Sequence, residues 1–146
     1  IGLYGLKTLY DGSMDQLEPV SSLQSVVISI KQWSAGSTIG YGRRGVLSRD
    51  SRIATIPIGY ADGIDRHYGN GAISVSINGH LCPTVGNICM DLCMVDVTDA
   101  PCKVGDRVEI FGSQIPVERL AEARGTIHYE VLTSISQRIK RVYYRE

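Results

Sequence analysis

The stretch Ala72-Ile73-Ser74-Val75-Ser76-Ile77-Asn78-Gly79 decides the class of fold. Its apolar residues Ile73, Val75 and Ile77 fall at every second position, so they share one face of an extended strand. Asn78 and Gly79 both tolerate positive φ, and the strand is expected to turn back there as a hairpin. The same period recurs outward in both directions. In residues 24–31, Val26, Ile28 and Ile30 alternate with Ser25, Val27 and Ser29. Residues 52–59 are apolar and β-branched, with Pro57 marking an edge or a bulge. Residues 88–97 read as a longer strand interrupted by Asp91, and residues 107–111 follow a Val104-Gly105-Asp106 turn. Residues 139–144 are expected to close the sheet. Two segments read as helices. Residues 117–124 hold good helix formers, with Pro116 suited to the first turn and Gly125 to the stop. Residues 129–138 place Val131, Leu132 and Ile135 on one side. Short strands separated by turns predict a mainly β chain, a Greek-key-like β-barrel with two short helices.

The bulk properties narrow the functions. A chain of 146 residues with 15 basic and 15 acidic side chains carries no net charge. Nucleic acid and anionic membrane surfaces are therefore poor partners. No apolar run spans a bilayer, and the start does not read as a signal peptide. The four cysteines, Cys82, Cys89, Cys93 and Cys102, form no CxxC pair, and His67, His80 and His128 do not cluster with them. No metal site is expected, and the cysteines read as free thiols in a reducing cytoplasm. The first residues differ from the rest. Ile1-Gly2-Leu3-Tyr4-Gly5 runs into Asp11-Gly12, and residues 1–14 read as the tail of a preceding unit, with the β-domain spanning 15–146.

One motif misleads. Gly40-Tyr41-Gly42-Arg43-Arg44-Gly45 spells GxGxxG, and Asp62 follows where a ribose-binding acid would sit. A dinucleotide site needs a helix opening at the motif, and the residues after it read as loop and strand. Four other segments carry polar groups beside glycines, where backbone can approach a ligand. They are T-I-G-Y-G (38–42), A-T-I-P-I-G-Y-A-D-G (54–63), G-N-I-C-M-D (86–91) and T-I-H-Y-E (126–130). Three present a tyrosine: Tyr41, Tyr60 and Tyr129. A phenol with a pKa near 10 is a poor base at neutral pH unless a cation helps it. Each tyrosine taken alone reads as structural. Arg43, Arg44, Arg49 and Arg52 read as a solvated face, and His128 as a surface or capping residue.

Taken in order, Y-G, P-I-G-Y-A-D-G, G-N-I-C-M-D, V-G-D-R-V-E-I-F-G and G-T-I-H-Y-E resemble the C-terminal domain of alanine racemases over nearly the whole chain. The resemblance implies a pyridoxal-phosphate (PLP) enzyme that interconverts L- and D-alanine for peptidoglycan synthesis. It implies that residues 1–14 are a remnant of the β/α barrel that binds PLP. Tyr41 resembles the tyrosine base that serves the L-alanine face and reaches the active site of a second subunit in a homodimer. The Met90 backbone, with Asp91 beside it, resembles the substrate-carboxylate contact. Tyr60, Arg66 and Ile127 match residues lining the entrance, Tyr60 as a substrate contact. Tyr129 and Ile1 match contacts to the PLP phosphate. Racemisation needs one base on each face of Cα, with PLP as the electron sink.

Two departures stand out. The family often has arginine where this chain has Asn87. The PLP-bearing lysine belongs to the family's N-terminal barrel, and Lys7, Lys31, Lys103 and Lys140 lie in no such motif. The chain alone is therefore expected to be inactive. Two alternatives remain at this point. A PLP amino-acid decarboxylase β-domain would place a catalytic cysteine next to an acid, whereas Met90 separates Cys89 from Asp91. A non-catalytic β-barrel module for dimerisation or ligand sensing would leave Tyr41 dispensable.

Overall fold

A computed structural model describes residues 19–144. The expected remnant at 1–14, and Ile1 with it, lies outside the described residues. Among the described residues, nine strands form three antiparallel sheets. They are β1 (Leu23–Val26), β2 (Ser29–Trp33), β3 (Thr38–Ile39), β4 (Gly45–Val46), β5 (Ser51–Ile56), β6 (Ser74–Ile77), β7 (His80–Pro83), β8 (Cys93–Asp96) and β9 (Arg107–Phe111). One sheet has the order β1-β9-β6-β7, the second β2-β5-β8, and β3 pairs with β4 as a short ribbon. The hairpin read from Asn78-Gly79 is present, with φ of 50° and 80° joining β6 to β7.

The two larger sheets meet at two seams. At one, Thr84 bridges Val95, and the Val85 N–H donates to the Met94 carbonyl at 2.8 Å. At the other, the chain itself crosses. Val27 N–H donates to Asp106 O, beside the four-stranded sheet, while the next N–H, of Ile28, donates to Thr55 O in the three-stranded sheet. This crossing inverts the expected alternation over residues 24–31. Val27 is buried, and Val26 and Ile28 are exposed, because the strand changes partners between them. The result is a mainly β, barrel-like stack in which one bridge and one crossing join the sheets.

The main core lies between the sheets and under the helices. Ile56, Tyr68, Val75, Ile77, Val95, Val108, Leu120 and Val131 are among its fully enclosed members. Each aliphatic side chain buried this way contributes about 1.5–3 kcal/mol. A small second cluster, Ile39, Leu47 and Ile53, packs with Val85 and Met94 at the base of the β3–β4 ribbon.

Helix α1 (Val117–Arg124) has the bounds its sequence predicts. Gly125, at φ 71°, ends it: the Gly125 N–H reaches Glu122 O and the Thr126 N–H reaches Ala121 O, which satisfies the terminal carbonyls. Helix α2 (His128–Ser134) is shorter than the expected 129–138. It stops because the following backbone docks on Gly63. A Cβ there would lie 2.5 Å from Ser134 O, and the Ser136 N–H donates to Asp62 O. Residues 139–144 form no strand. The Arg141 guanidinium instead donates to the carbonyls of Ile135, Ser136 and Ile139. Pro57 lies just past the end of β5, which is a central strand and not an edge. Of the strand expected over 88–97, only 93–96 forms; residues 88–92 make a tight turn in which Cys89 N–H reaches Leu92 O.

Candidate functional site

The GxGxxG stretch is the turn of the β3–β4 ribbon. No helix opens from it, so it offers no phosphate cradle. Tyr41 begins a single 3-10 turn (Tyr41–Arg43) whose backbone is unusual: Gly40, Gly42 and Arg43 have φ of 77°, 71° and 53°. The phenol projects outward and is 77% exposed. The glycines let a second loop pack directly against this ribbon. A Cβ on Gly45 would meet Gly86 N at 2.6 Å, and one on Gly86 would meet Ile39 O at 2.6 Å. Asn87, next in that loop, donates from Nδ2 to Tyr41 O at 2.9 Å.

The G-Y-A-D-G segment holds the other half of the site. Gly59 lies against the 89–91 turn so closely that a Cβ would come within 2.3 Å of Cys89 O and 2.4 Å of Met90 O. Tyr60 and Ala61 donate their N–H groups to those two carbonyls at 3.0 Å. The Met90 carbonyl is thus occupied, while its N–H finds no acceptor among the described residues. Met90 belongs to this turn and not to the end of a strand. Tyr41, Tyr60, Arg66, Asn87, Met90 and Asp91 all line one open cleft of about 590 Å³.

Arg138 supplies a link that the sequence did not disclose. Its Nε donates to Asp62 Oδ1 and its Nη2 to Asp91 Oδ1, both at 2.6 Å. Asp62 is buried and also accepts from the Gly59 N–H at 2.8 Å. Burial pushes the Asp62 carboxyl up, but the bonds from Arg138 and Gly59 outweigh it and hold it below the usual value. The fork ties G-Y-A-D-G, C-M-D and the segment after α2 together. Its only sequence signal is an arginine at the end of the expected second helix, 76 positions from Asp62.

Tyr129 and Ile127 stand apart from that cleft. Ile127 is exposed at the start of α2, and Tyr129 is half-buried, its ring 4.1 Å from that of His128. His128 is half-buried rather than a surface residue, and it makes no capping bond. Ion pairs join this region to the cleft: Arg124 contacts Asp65 Oδ2 at 3.1 Å and Glu130 Oε1 at 3.2 Å, and Asp65 caps the turn that carries Arg66. The four cysteines are free thiols. Burial pushes Cys82 and Cys93 up to about 11 and about 12. The arginine run is not simply solvated: Arg49 pairs with Asp99, and Arg52 donates to the carbonyls of Ala100 and Cys102.

Comparison with known proteins agrees with this geometry. The family described as alanine racemase, C-terminal domain, matches residues 20–143. Alanine racemase 1 of Clostridium acetobutylicum is 44% identical over 134 residues, 88% of this chain and 34% of that protein. The biosynthetic alanine racemase structure from Pseudomonas aeruginosa superposes with a TM-score of 0.90 at 36% identity, over 99% of this chain and 41% of that one. An alanine racemase from Bartonella henselae, solved with covalently bound pyridoxal phosphate, gives 0.88 at 38% identity, over 98% of this chain and 40% of that one. The chain thus spans well under half the length of these relatives. By its motifs, its fold and these likenesses, the chain belongs to the alanine racemase C-terminal domain family.

Proposed function

We propose that this chain is the C-terminal domain of a PLP-dependent alanine racemase, a cytoplasmic homodimer that interconverts L- and D-alanine for peptidoglycan synthesis. The observation that carries the reading is the placement of Tyr41. An exposed phenol stands on a turn locked by glycines, across one cleft from a backbone N–H without an acceptor among the described residues. An exposed tyrosine with a fixed backbone suits proton transfer to a group that another chain presents.

The residues present fit the margin of a PLP site. The Tyr129 hydroxyl suits a phosphate oxygen, and Ile1 is assigned to the same contact. As the family resemblance implies, the lysine that carries PLP is assigned to the barrel of the second subunit, and the chain alone is expected to be inactive. When bound, PLP supplies the electron sink that acidifies the alanine Cα–H. The Tyr41 hydroxyl oxygen takes or returns the proton on the face used for L-alanine. The Met90 N–H holds the substrate carboxylate, and Arg138 keeps Asp91 and its turn in place beside it. Tyr60, Arg66 and Ile127 line the way in. The test is Tyr41→Phe in the complete enzyme. Racemisation is expected to fall by at least about a hundredfold, and a rate near wild type would contradict the assignment.

A further inference from the structure

We infer that Asn87 is a positioning residue for Tyr41, and that the pair Asn70–Asn87 sets where the Tyr41 hydroxyl lies; this rests on the reading of Tyr41 proposed above. The side chain of Tyr41 is 77% exposed, so its position is governed through its backbone. That backbone adopts left-handed φ values at Gly40, Gly42 and Arg43; the glycines take them freely, whereas at Arg43 the conformation is strained and persists where surrounding contacts hold it. Among the described residues, two side-chain bonds act on this turn. One is the long, exposed bond of 3.3 Å from Arg43 Nε to Thr38 Oγ1. The other is the 2.9 Å bond from Asn87 Nδ2 to Tyr41 O.

The Asn87 amide is itself oriented. The Tyr41 carbonyl can only accept, so Nδ2 must face it, and Oδ1 then points to Asn70, whose Nδ2 donates to it at 3.2 Å. Asn70 is fixed in turn: it has φ 54°, and its N–H donates to Gly86 O at 2.9 Å. Gly86 is wedged against Ile39 and Gly45 with no room for a Cβ. The chain Asn70–Asn87–Tyr41 therefore links the Asn70–Gly86 contact to the turn that bears the phenol. Asn87 also lines the cleft, so a role confined to the entrance is the competing account.

The experiment uses the complete enzyme, with Asn87→Ala, the near-isosteric Asn87→Asp, Asn70→Ala and Tyr41→Phe side by side. The two enantiomers have equal free energy, so kcat/KM must change by one factor in both directions. Direction is read instead from the primary isotope effect with Cα-deuterated alanine. Both Asn87 variants are expected to lower kcat/KM roughly ten- to hundredfold, as a misplacement of about 1 Å does. The isotope effect should rise with L-alanine and not with D-alanine, while the melting temperature changes little. Asn70→Ala should act in the same direction and less strongly. In the protein without PLP, amide exchange at residues 40–44 should quicken in Asn87→Ala. Changes confined to KM, or activity lost with unchanged isotope effects, would overturn the positioning role. If Tyr41→Phe abolishes racemisation and the Asn87 variants do not, only this inference fails. If Tyr41→Phe stays active, the reading of Tyr41 fails and this inference with it.

Discussion

Adding one methyl group at Gly59 should unseat the Met90–Asp91 turn. Gly59 has φ −153° and ψ −161°, an extended conformation open to alanine, so any cost comes from space alone. The new Cβ would lie 2.3 Å from Cys89 O and 2.4 Å from Met90 O. The turn must retreat roughly 0.7 Å to reach even the 3.0 Å that Cβ atoms tolerate at the limit. That retreat stretches the two 3.0 Å bonds from Tyr60 and Ala61 beyond the hydrogen-bonding range. Two backbone bonds at about 1 kcal/mol each, with about 1–3 kcal/mol of overpacking, put the loss near 3–5 kcal/mol. For a chain of this size that is a fall in melting temperature of roughly 6–15 °C. Thermal unfolding followed by circular dichroism measures it, and KM for alanine in the complete enzyme should rise as the Met90 N–H shifts. A Gly59→Ala protein melting within about 2 °C of wild type would refute the close contact on which the site geometry rests.

Arg138→Met should raise KM for alanine severalfold with a smaller effect on kcat, because Asp91 loses its tie while Tyr41 keeps its own support. Steady-state kinetics of the complete enzyme checks this, and an unchanged KM would remove Arg138 from the site. The same fork predicts acid lability. Asp62 titrates below its ordinary value once folded, so its stabilisation is present above the ordinary carboxylate range and is lost as pH falls through the lowered value. The melting temperature of the wild type should therefore drop more steeply below about pH 4 than that of Asp62→Asn. Parallel pH profiles of the two proteins would expose the error if the slopes matched.

The strands and helices that the sequence disclosed best are those whose signal is local. Val75 and Ile77 with Asn78-Gly79, and Pro116 with Gly125, each carry their own period and punctuation and form as read, although the strand starts at Ser74 and leaves Ile73 just before it. The failures share a cause: a long-range contact overrides a local pattern. Residues 24–31 alternate well, yet the chain changes sheets at Val27, and a period of two cannot show where a strand changes partners. The 88–92 stretch is apolar enough for a strand, but Gly59 presses it into a turn. Residues 139–144 read as a closing strand, whereas Arg141 occupies the local carbonyls. The same distinction governs the site. Tyr41 and Tyr60, which adjoin glycines in sequence, meet Arg66, Met90 and Asp91 in one cleft. Arg138 and the pairing of Asn87 with Asn70 and Tyr41 were not legible, because each acts through partners 17 to 76 positions away; Asn87 stands in G-N-I-C-M-D, but that motif does not disclose its partners.

The most direct test of the account asks which proton Tyr41 moves. In the complete enzyme carrying Tyr41→Phe, incubated in deuterated water, exchange at Cα can be followed separately for each enantiomer by mass spectrometry. The account predicts that D-alanine continues to exchange its Cα proton, through the base on the opposite face, while L-alanine exchange and racemisation both collapse. Exchange of L-alanine at a rate near wild type would contradict the placement of Tyr41 as the base on that face.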